Sequence, residues 1–281
     1  MTGRMPFAKA HGLGNDFILV DERQCPAEAS AWARRLCDRH LGIGGDGVLV
    51  YGTETGAVRM RLINADGGDA EMSGNGVRCL AAHAVRNGWA APRHVVHTAA
   101  GPREVEVQIL SPSRFRVATD LGVPILESGA IPVALSPPGS RVVDHPLEAA
   151  GRRLAVTATS LGNPHCAVFL EAVADDALVK TLGPALESHP FFPSKTNVEF
   201  VTVTAPDALR VRFWERGVGP TRASGTGAAS AAVAAILKGL TQRRVSVVCD
   251  GGTLDVEWPE GGSVRQTGDV EMLFEGEWLS A

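Results

Sequence analysis

The sequence has no C-x-x-C pair, no long apolar run and no cluster of basic residues, and each absence removes a class of protein. Its five cysteines, Cys25, Cys37, Cys79, Cys166 and Cys249, are odd in number and widely scattered. Neither a disulfide framework nor a zinc site is expected. The 27 basic and 31 acidic residues leave a formal charge of −4 without a basic stretch that could track a phosphate backbone, so nucleic acid is not an expected partner. Met1 to His11 contains no apolar leader core, and the most apolar later stretch, Ala228 to Leu237, is mostly alanine and too short to span a bilayer. A soluble, cytoplasmic protein without a membrane partner is the expectation.

What is present is a repeat. Glu71-Met72-Ser73-Gly74-Asn75-Gly76 is echoed by Arg222-Ala223-Ser224-Gly225-Thr226-Gly227, and each copy opens an alanine-rich run. Ser224 follows Ser73 by 151 residues, and at the same offset Arg59 matches Arg210, Arg61 matches Arg212, Gly68 matches Gly219 and Gly88 matches Gly239. Leu13-Gly14-Asn15 also recurs as Leu161-Gly162-Asn163. A chain of 281 residues exceeds the usual single-domain size of about 100–150, and two halves of similar size follow.

Strand signals outnumber helical ones. Residues 17–20, 47–51, 59–63, 105–109, 115–118, 165–170, 198–203, 209–214 and 245–248 read as strands; residues 27–38, 76–87, 174–186 and 227–238 read as helices. Many short strands joined to a few helices without regular alternation indicate an α+β fold with mixed sheets. The Pro-, Gly- and Ser-rich segment Gly122 to Gly139 is the expected linker, with the boundary near residue 122.

In each repeat a serine and two glycines precede a helix, where backbone N–H groups lack intrahelical partners and aligned peptide dipoles favour an anion. A carboxylate is the expected guest. Ser73 and Ser224 also fit ordinary N-caps, each accepting a hydrogen bond from its own first turn, and the in-register pairing of two such turns favours a shared ligand role. Gly42-Ile43-Gly44-Gly45-Asp46-Gly47 matches G-x-G-x-x-G, but a helix precedes it and a strand follows, the reverse of a dinucleotide-binding turn. Neither serine lies in G-x-S-x-G, so the nucleophile elbow of an α/β-hydrolase is absent.

Other polar groups fall near the repeats. Asn64-Ala65-Asp66-Gly67 and Glu215-Arg216-Gly217 occupy equivalent places and diverge, as the two sides of a site for an asymmetric ligand would. Arg216 suits a bidentate clamp on a carboxylate and Glu215 an ammonium; a solvated turn carrying a surface ion pair is the plainer alternative. His165 at a strand entrance can tune an acid–base group or be an ordinary hydrogen-bonded histidine. His94 and His97 are spaced to point to opposite faces of a strand, which argues against a metal pair. Asp66, Asp69 and Glu71 read as turn residues and helix N-terminal charges.

Taken together, His11-Gly12-Leu13-Gly14-Asn15-Asp16-Phe17, Gly42 to Gly47, Asn64-Ala65-Asp66-Gly67, Gly74-Asn75-Gly76-Val77-Arg78-Cys79, Gly162-Asn163-Pro164-His165-Cys166 and Trp214-Glu215-Arg216-Gly217-Val218-Gly219 resemble the diaminopimelate epimerase family over essentially the whole chain. The resemblance implies two pseudo-symmetric halves, each a mixed β-sheet wrapped around a helix, spanning residues 1–121 plus about 270–281 and residues 122–269. The last strand, near Val270 to Phe274, would return to the first half. It implies a cofactor-independent isomerase, without metal, that interconverts LL- and meso-diaminopimelate for lysine and cell-wall synthesis. A homodimer is compatible with it.

Carried over residue by residue, Asn15, Asn64, Asn163, Asn197, Glu215 and Arg216 would hold the amino and carboxylate groups of the substrate. Backbone N–H groups at Gly74-Asn75 and Gly225-Thr226 would bind the carboxylate at the reacting carbon. The expected catalytic set is Ser73, Ser224, His165 and Glu215, with the two serines facing one cleft.

The resemblance breaks at the two serines. The family places a cysteine at each of these positions, one thiolate removing the α-proton while the opposite thiol returns one. A thiol titrates near about 8.5 and lower at a helix N-terminus, whereas a hydroxyl titrates several units higher. Pro220 is a second, smaller departure, where the family commonly has glutamate. Three readings stay open: a cysteine-to-serine double variant, a natural serine-bearing member that epimerises slowly, or an isomerase whose base has moved to Glu71, Asp69 or His165. A catalytically silent amino-acid-binding homologue is the alternative from another class.

Overall fold

The computed structural model describes residues 4–54, 56–70, 72–135 and 139–279. The chain divides into two compact units, one formed by Met1–Asp120 with Thr267–Ala281 and the other by Leu121–Gln266.

In the first unit the elements run β1 (Arg4–Gly12), β2 (Asn15–Asp21), α1 (Ala29–Cys37), β3 (Gly47–Glu54), β4 (Ala57–Asn64), β5 (Asp69–Ala70), α2 (Gly74–Arg86), β6 (Arg93–Thr98), β7 (Gly101–Ile109) and β8 (Arg114–Asp120). In the second they run β9 (His145–Ala149), β10 (Arg152–Ser160), β11 (Pro164–Phe169), α3 (Asp176–Glu187), β12 (Asn197–Ala205), β13 (Ala208–Glu215), β14 (Gly219–Thr221), α4 (Gly225–Leu237), β15 (Arg244–Cys249) and β16 (Gly252–Glu257). The chain then enters β17 (Arg265–Leu279), which pairs antiparallel with β1 from Arg4↔Leu279 to His11↔Glu271 and also pairs with β8.

The first unit is a sheet closed on itself in the order β1-β2-β3-β4-β6-β7-β8-β17, with β2–β3 and β4–β6 parallel and β1–β17, β1–β2, β3–β4, β6–β7 and β7–β8 antiparallel. The second repeats the central part of this order as β10-β11-β12-β13-β15-β16, with β11–β12 and β13–β15 the parallel pairs. The sequence repeat is therefore a repeat of topology. Each sheet encloses one helix. Every residue of α2 from Gly74 to Ala84 is buried, as is every residue of α4 from Gly227 to Ala235. A helix that is apolar or small on all sides is stable only when surrounded. The alanines of α4 let the strands wrap it closely.

α1 and α3 lie on the opposite faces of their sheets. α1 inserts Ala29, Ala33 and Leu36 against Ile18, Val20, Val48, Val50 and Ile63. α3 sets Val179, Leu182 and Leu186 against Val168, Val198 and Phe200. With a helix on either side, the central strands β2 and β3 are buried on both faces, so Phe17 to Val20 and Gly47 to Val50 read as continuous runs rather than alternations.

Several details differ from expectation, among them β1, β9, β10 and β16, which lie outside the stretches read as strands. α2 and α4 begin at Gly74 and Gly225, because the serines before them supply the caps, so the glycines belong to the first helical turn. The segment expected as a linker packs onto the second unit instead: Leu121 N–H donates to Val264 O, Ile125 bridges to Ser160, and Ile131 and Val133 are buried. β17 is much longer than the stretch around Val270 to Phe274. Among the described residues no helix is long and apolar enough to cross a membrane.

Candidate active site

The serines are the start of the site in each unit. Ser73 (φ −134°, ψ 123°) accepts a hydrogen bond at Oγ from Gly76 N–H at 3.1 Å. Ser224 (φ −134°, ψ 124°) accepts one from Gly227 N–H at 3.3 Å. Both lead helices of 13 residues. Each capping hydroxyl satisfies one first-turn amide, and the amides of Gly74-Asn75 and Gly225-Thr226 precede the first intrahelical bonds. Gly227 has a steric reason: a Cβ there would sit 2.9 Å from Ser224 Oγ and 3.1 Å from Glu199 Oε1.

In the first unit a polar chain runs to the start of α2. Asn15 Nδ2 donates to Asp46 Oδ2 at 2.7 Å, and Asn75 Nδ2 donates to Asn15 Oδ1 at 3.2 Å; Arg78, wholly buried, donates to Asn75 Oδ1. Asn64 ends β4, its N–H bonded to Gly68 O at 2.8 Å and its carbonyl accepting from Gly67 N–H at 2.9 Å. Asp66 Oδ1 accepts from Gly68 N–H at 2.8 Å, and Asp69 is paired with Arg61 at 2.7 Å, so both serve the turn. Glu71 lies outside the described residues. The glycine cluster at Gly42 to Gly47 turns its amides back on α1: Gly42 N–H bonds Asp38 O, Ile43 and Gly44 bond Leu36 O, and Gly45 bonds Cys37 O. Those donors are spent on closing a helix end.

Asp16 ties this region together. It pairs with Lys9 at 2.6 Å and with Arg39 at 2.6 Å, and Arg39 also reaches Asp46 at 2.8 Å. Burial by itself would raise the Asp16 carboxyl, but the hydrogen bonds and charges of Arg39 and Lys9 outweigh it and lower the group from 3.8 to about 2. As pH falls, the unfolded chain takes up this proton first. The stabilisation is therefore complete above about pH 4 and lost between about pH 4 and 2, an effect of about 2 kcal/mol. Urea unfolding at pH 5 and pH 2 should show the wild type losing about that much more stability than Asp16→Asn; equal losses would remove Asp16 as the source.

In the second unit, His165 at the start of β11 is flanked on both ring nitrogens. Nδ1 lies 2.6 Å from Glu199 Oε1, and Nε2 lies 3.0 Å from Asn163 Oδ1. Asn163 Nδ2 is directed to Thr226 Oγ1 at 3.5 Å, in the first turn of α4. Glu215 ends β13 and accepts from Thr221 Oγ1 at 2.6 Å. Burial raises both Glu199 and Glu215, against the opposing influence of His165 on the first and of the Thr221 hydrogen bond on the second.

The Arg216 turn is fixed from below. Asn197 Oδ1 accepts from Arg216 N–H at 2.9 Å while its Nδ2 donates to Pro164 O at 2.9 Å. Glu187 accepts from Trp214 Nε1 at 2.7 Å and from Gly217 N–H at 3.0 Å. The Trp214 ring lies over Gly183, where a Cβ would meet it at 2.5 Å. The Arg216 guanidinium is exposed and donates to Ser194 O at 3.0 Å. Asn197 therefore spends its amide on ordering this turn.

The structure thus groups Ser73, Gly74, Asn75 and Asn15 in one unit, and Ser224, Gly225, Thr226, Asn163 and His165 in the other. Glu199, Asp46, Thr221 and Glu187 were not singled out from the sequence. For Glu199 the signal was available, an acidic residue inside the apolar strand Val198-Glu199-Phe200. On β6, His94 is turned inward with Nδ1 2.8 Å from Ala91 O, and His97 is exposed.

Solved structures of low sequence identity share this fold. They include a predicted epimerase from Pseudomonas aeruginosa (TM-score 0.67, 18% identity, 99% of this chain and 100% of that one) and a hydroxyproline epimerase from Agrobacterium vitis (TM-score 0.65, 14% identity, 98% and 91%). A methylitaconate-delta-isomerase is similar in the same way (TM-score 0.66, 14% identity, 98% and 95%). The chain has the fold that these proteins share.

Sequence similarity narrows this further. Residues 7–126 and 157–273 match the family model of diaminopimelate epimerase. The chain is 48% identical to the diaminopimelate epimerase of Desulforudis audaxviator, over 99% of this chain and 100% of that protein. It is 46% identical to that of Pelotomaculum thermopropionicum, over 98% and 99%. The chain belongs to the diaminopimelate epimerase family.

Proposed function

We propose that the protein binds diaminopimelate and acts as an epimerase whose proton transfer is slowed by serine at both acid–base positions. The observation that carries this reading is the matched pair of caps. Ser73 and Ser224 share backbone angles to within a degree, each at the head of an enclosed helix whose first amides suit a carboxylate. In the scheme, one residue of the pair removes the α-proton and the other returns one to the opposite face, so the stereocentre inverts.

Helix ends and amides stabilise the charge that develops on the carbanion, and that contribution does not depend on sulfur. The hydroxyls bind and cap well but are poor bases at neutral pH. Asn15, Asn64 and Asn163 are assigned to the polar groups of the substrate, and Arg216 to its distal carboxylate. Asn197 is assigned to support of the Arg216 turn. Glu215, half-buried and held by Thr221, is assigned to the ammonium, and His165 to positioning.

The test pairs two measurements on the chain as it stands. Calorimetry with LL- and meso-diaminopimelate should give saturable binding, and proton NMR in deuterated water should show very slow exchange at the α-carbon. Absence of binding to either isomer would overturn the reading. Binding with no exchange at all would make the chain a silent amino-acid binder, and rapid exchange would move the base to a carboxylate or to His165.

A further inference from the structure

Glu199 and His165 are each 1% exposed, and the carboxylate lies under the first turn of α4 beside Ser224. Glu199 Oε1 meets Nδ1, while Oε2 has no hydrogen-bond partner among the described residues. A lone buried carboxylate charge is costly unless a neighbour compensates it. Glu215, a half-buried carboxyl near this pair, adds to that demand.

The electrostatics therefore favour a net neutral Glu199–His165 pair, which requires two protons among the two carboxyl oxygens and the two ring nitrogens. One proton is shared along the 2.6 Å line between Oε1 and Nδ1, on either atom; the other placed on Oε2 would be a buried hydroxyl with no acceptor among the described residues, which favours Nε2. A protonated Nε2 is a donor, and the atom it faces at 3.0 Å is the amide oxygen of Asn163. The competing arrangement, with Nε2 bare and the Asn163 amide reversed, would leave Glu199 either a buried anion or a buried acid whose Oε2–H has no acceptor among the described residues.

We propose that Glu199 is a positioning residue that acts through His165 to hold Asn163 with Oδ1 inward and Nδ2 outward, so that Asn163 donates to a ligand oxygen rather than accepting from an ammonium. The proposal rests on the reading that Asn163 faces the amino-acid substrate, and it assigns that residue to a carboxylate. Asn163 is partly exposed, and its Nδ2 has two hydrogens of which Thr226 takes at most one, at 3.5 Å. The donor thus lies beside the free amides at the head of α4, on the side where a carboxylate is expected.

The tautomer can be read without any variant or ligand. Nitrogen-detected NMR of histidine-labelled protein at neutral pH should show His165 with a proton on Nε2; a bare Nε2 overturns the proposal. Glu199→Gln removes the buried charge and lets Nε2 lose its enforced proton, so the Nε2–H signal should weaken or shift. A signal identical to wild type would show that Glu199 does not set it.

For the ligand end, Asn163→Asp replaces the outward donor by an acceptor of the same size. Titration with meso-diaminopimelate should show at least a tenfold loss of affinity, partly restored in Asn163→Ser, which keeps a donor. Unchanged affinity in Asn163→Asp would overturn the donor assignment. If the wild type itself fails to bind, the functional reading falls, while the NMR result still decides the role of Glu199.

Discussion

Replacing both serines together, Ser73→Cys and Ser224→Cys, is expected to raise solvent exchange at the α-carbon of diaminopimelate, and its epimerisation, by at least about a thousandfold. The size follows from acidity. A thiol near about 8.5, lowered further at a helix N-terminus, offers a useful fraction of thiolate at pH 7, and a hydroxyl does not. Both caps are built to receive the change. Each side chain lies over the first turn of a buried helix, and exchange of oxygen for sulfur keeps the shape of the residue while weakening one capping hydrogen bond, a cost of about 1 kcal/mol per site. Each single replacement should gain far less, because inversion needs a donor on one face and an acceptor on the other. Exchange assayed by NMR and inversion assayed by chiral chromatography check this. A double variant no faster than the starting chain would show that positions 73 and 224 are not the acid–base pair.

Removal of the guanidinium in Arg216→Ala should weaken binding of both LL- and meso-diaminopimelate by about 1.5–3 kcal/mol, on the order of a ten- to hundredfold rise in Kd. Arg216 is a good candidate because its backbone is fixed and its head group is not. Asn197 and Glu187 hold Arg216 N–H and Gly217 N–H, while the exposed guanidinium donates to the backbone at Ser194 O. A ligand carboxylate would thus meet a charge that needs little rearrangement to form a fork. The loss should fall equally on both isomers, since they differ at the reacting carbon and not at the distal carboxylate. Calorimetry that found unchanged affinity would place Arg216 outside the site.

Much of the fold was legible because its central devices are local. Serine followed by Gly-x-Gly and alanines marks a capped helix suited to burial, and two copies in register mark a duplicated unit. The helix starts were misplaced by two residues because glycine was read as turn, whereas the cap lets glycine occupy the first helical turn. β17 was underestimated for a different reason. Its later residues, Phe274 to Leu279, are exposed or partly so and carry no continuous apolar pattern, and pairing with β1 rather than burial makes them a strand. At the candidate site, the residues named by motif lie at strand ends, in turns and at helix starts. Glu199, Glu187 and Asp46 act through partners far away in sequence, and spacing along one chain contains no distance across a sheet.

The strand that seals the first unit is made after the whole of the second. β1 and β8 keep open edges until residues 267–279 arrive, whereas Leu121–Gln266 is already complete by then. The half made first is therefore the half that finishes last, the reverse of the usual vectorial order of domain folding. During that interval the buried helix α2, with its serine cap and enclosed Arg78, lies in a cage with one stave missing. A nascent chain in this state carries an unpaired sheet edge, the feature that invites wrong pairing between chains. Placing the closing stave after the second unit ties completion of the first serine turn to synthesis of β17, so a product truncated before that strand lacks a finished first half.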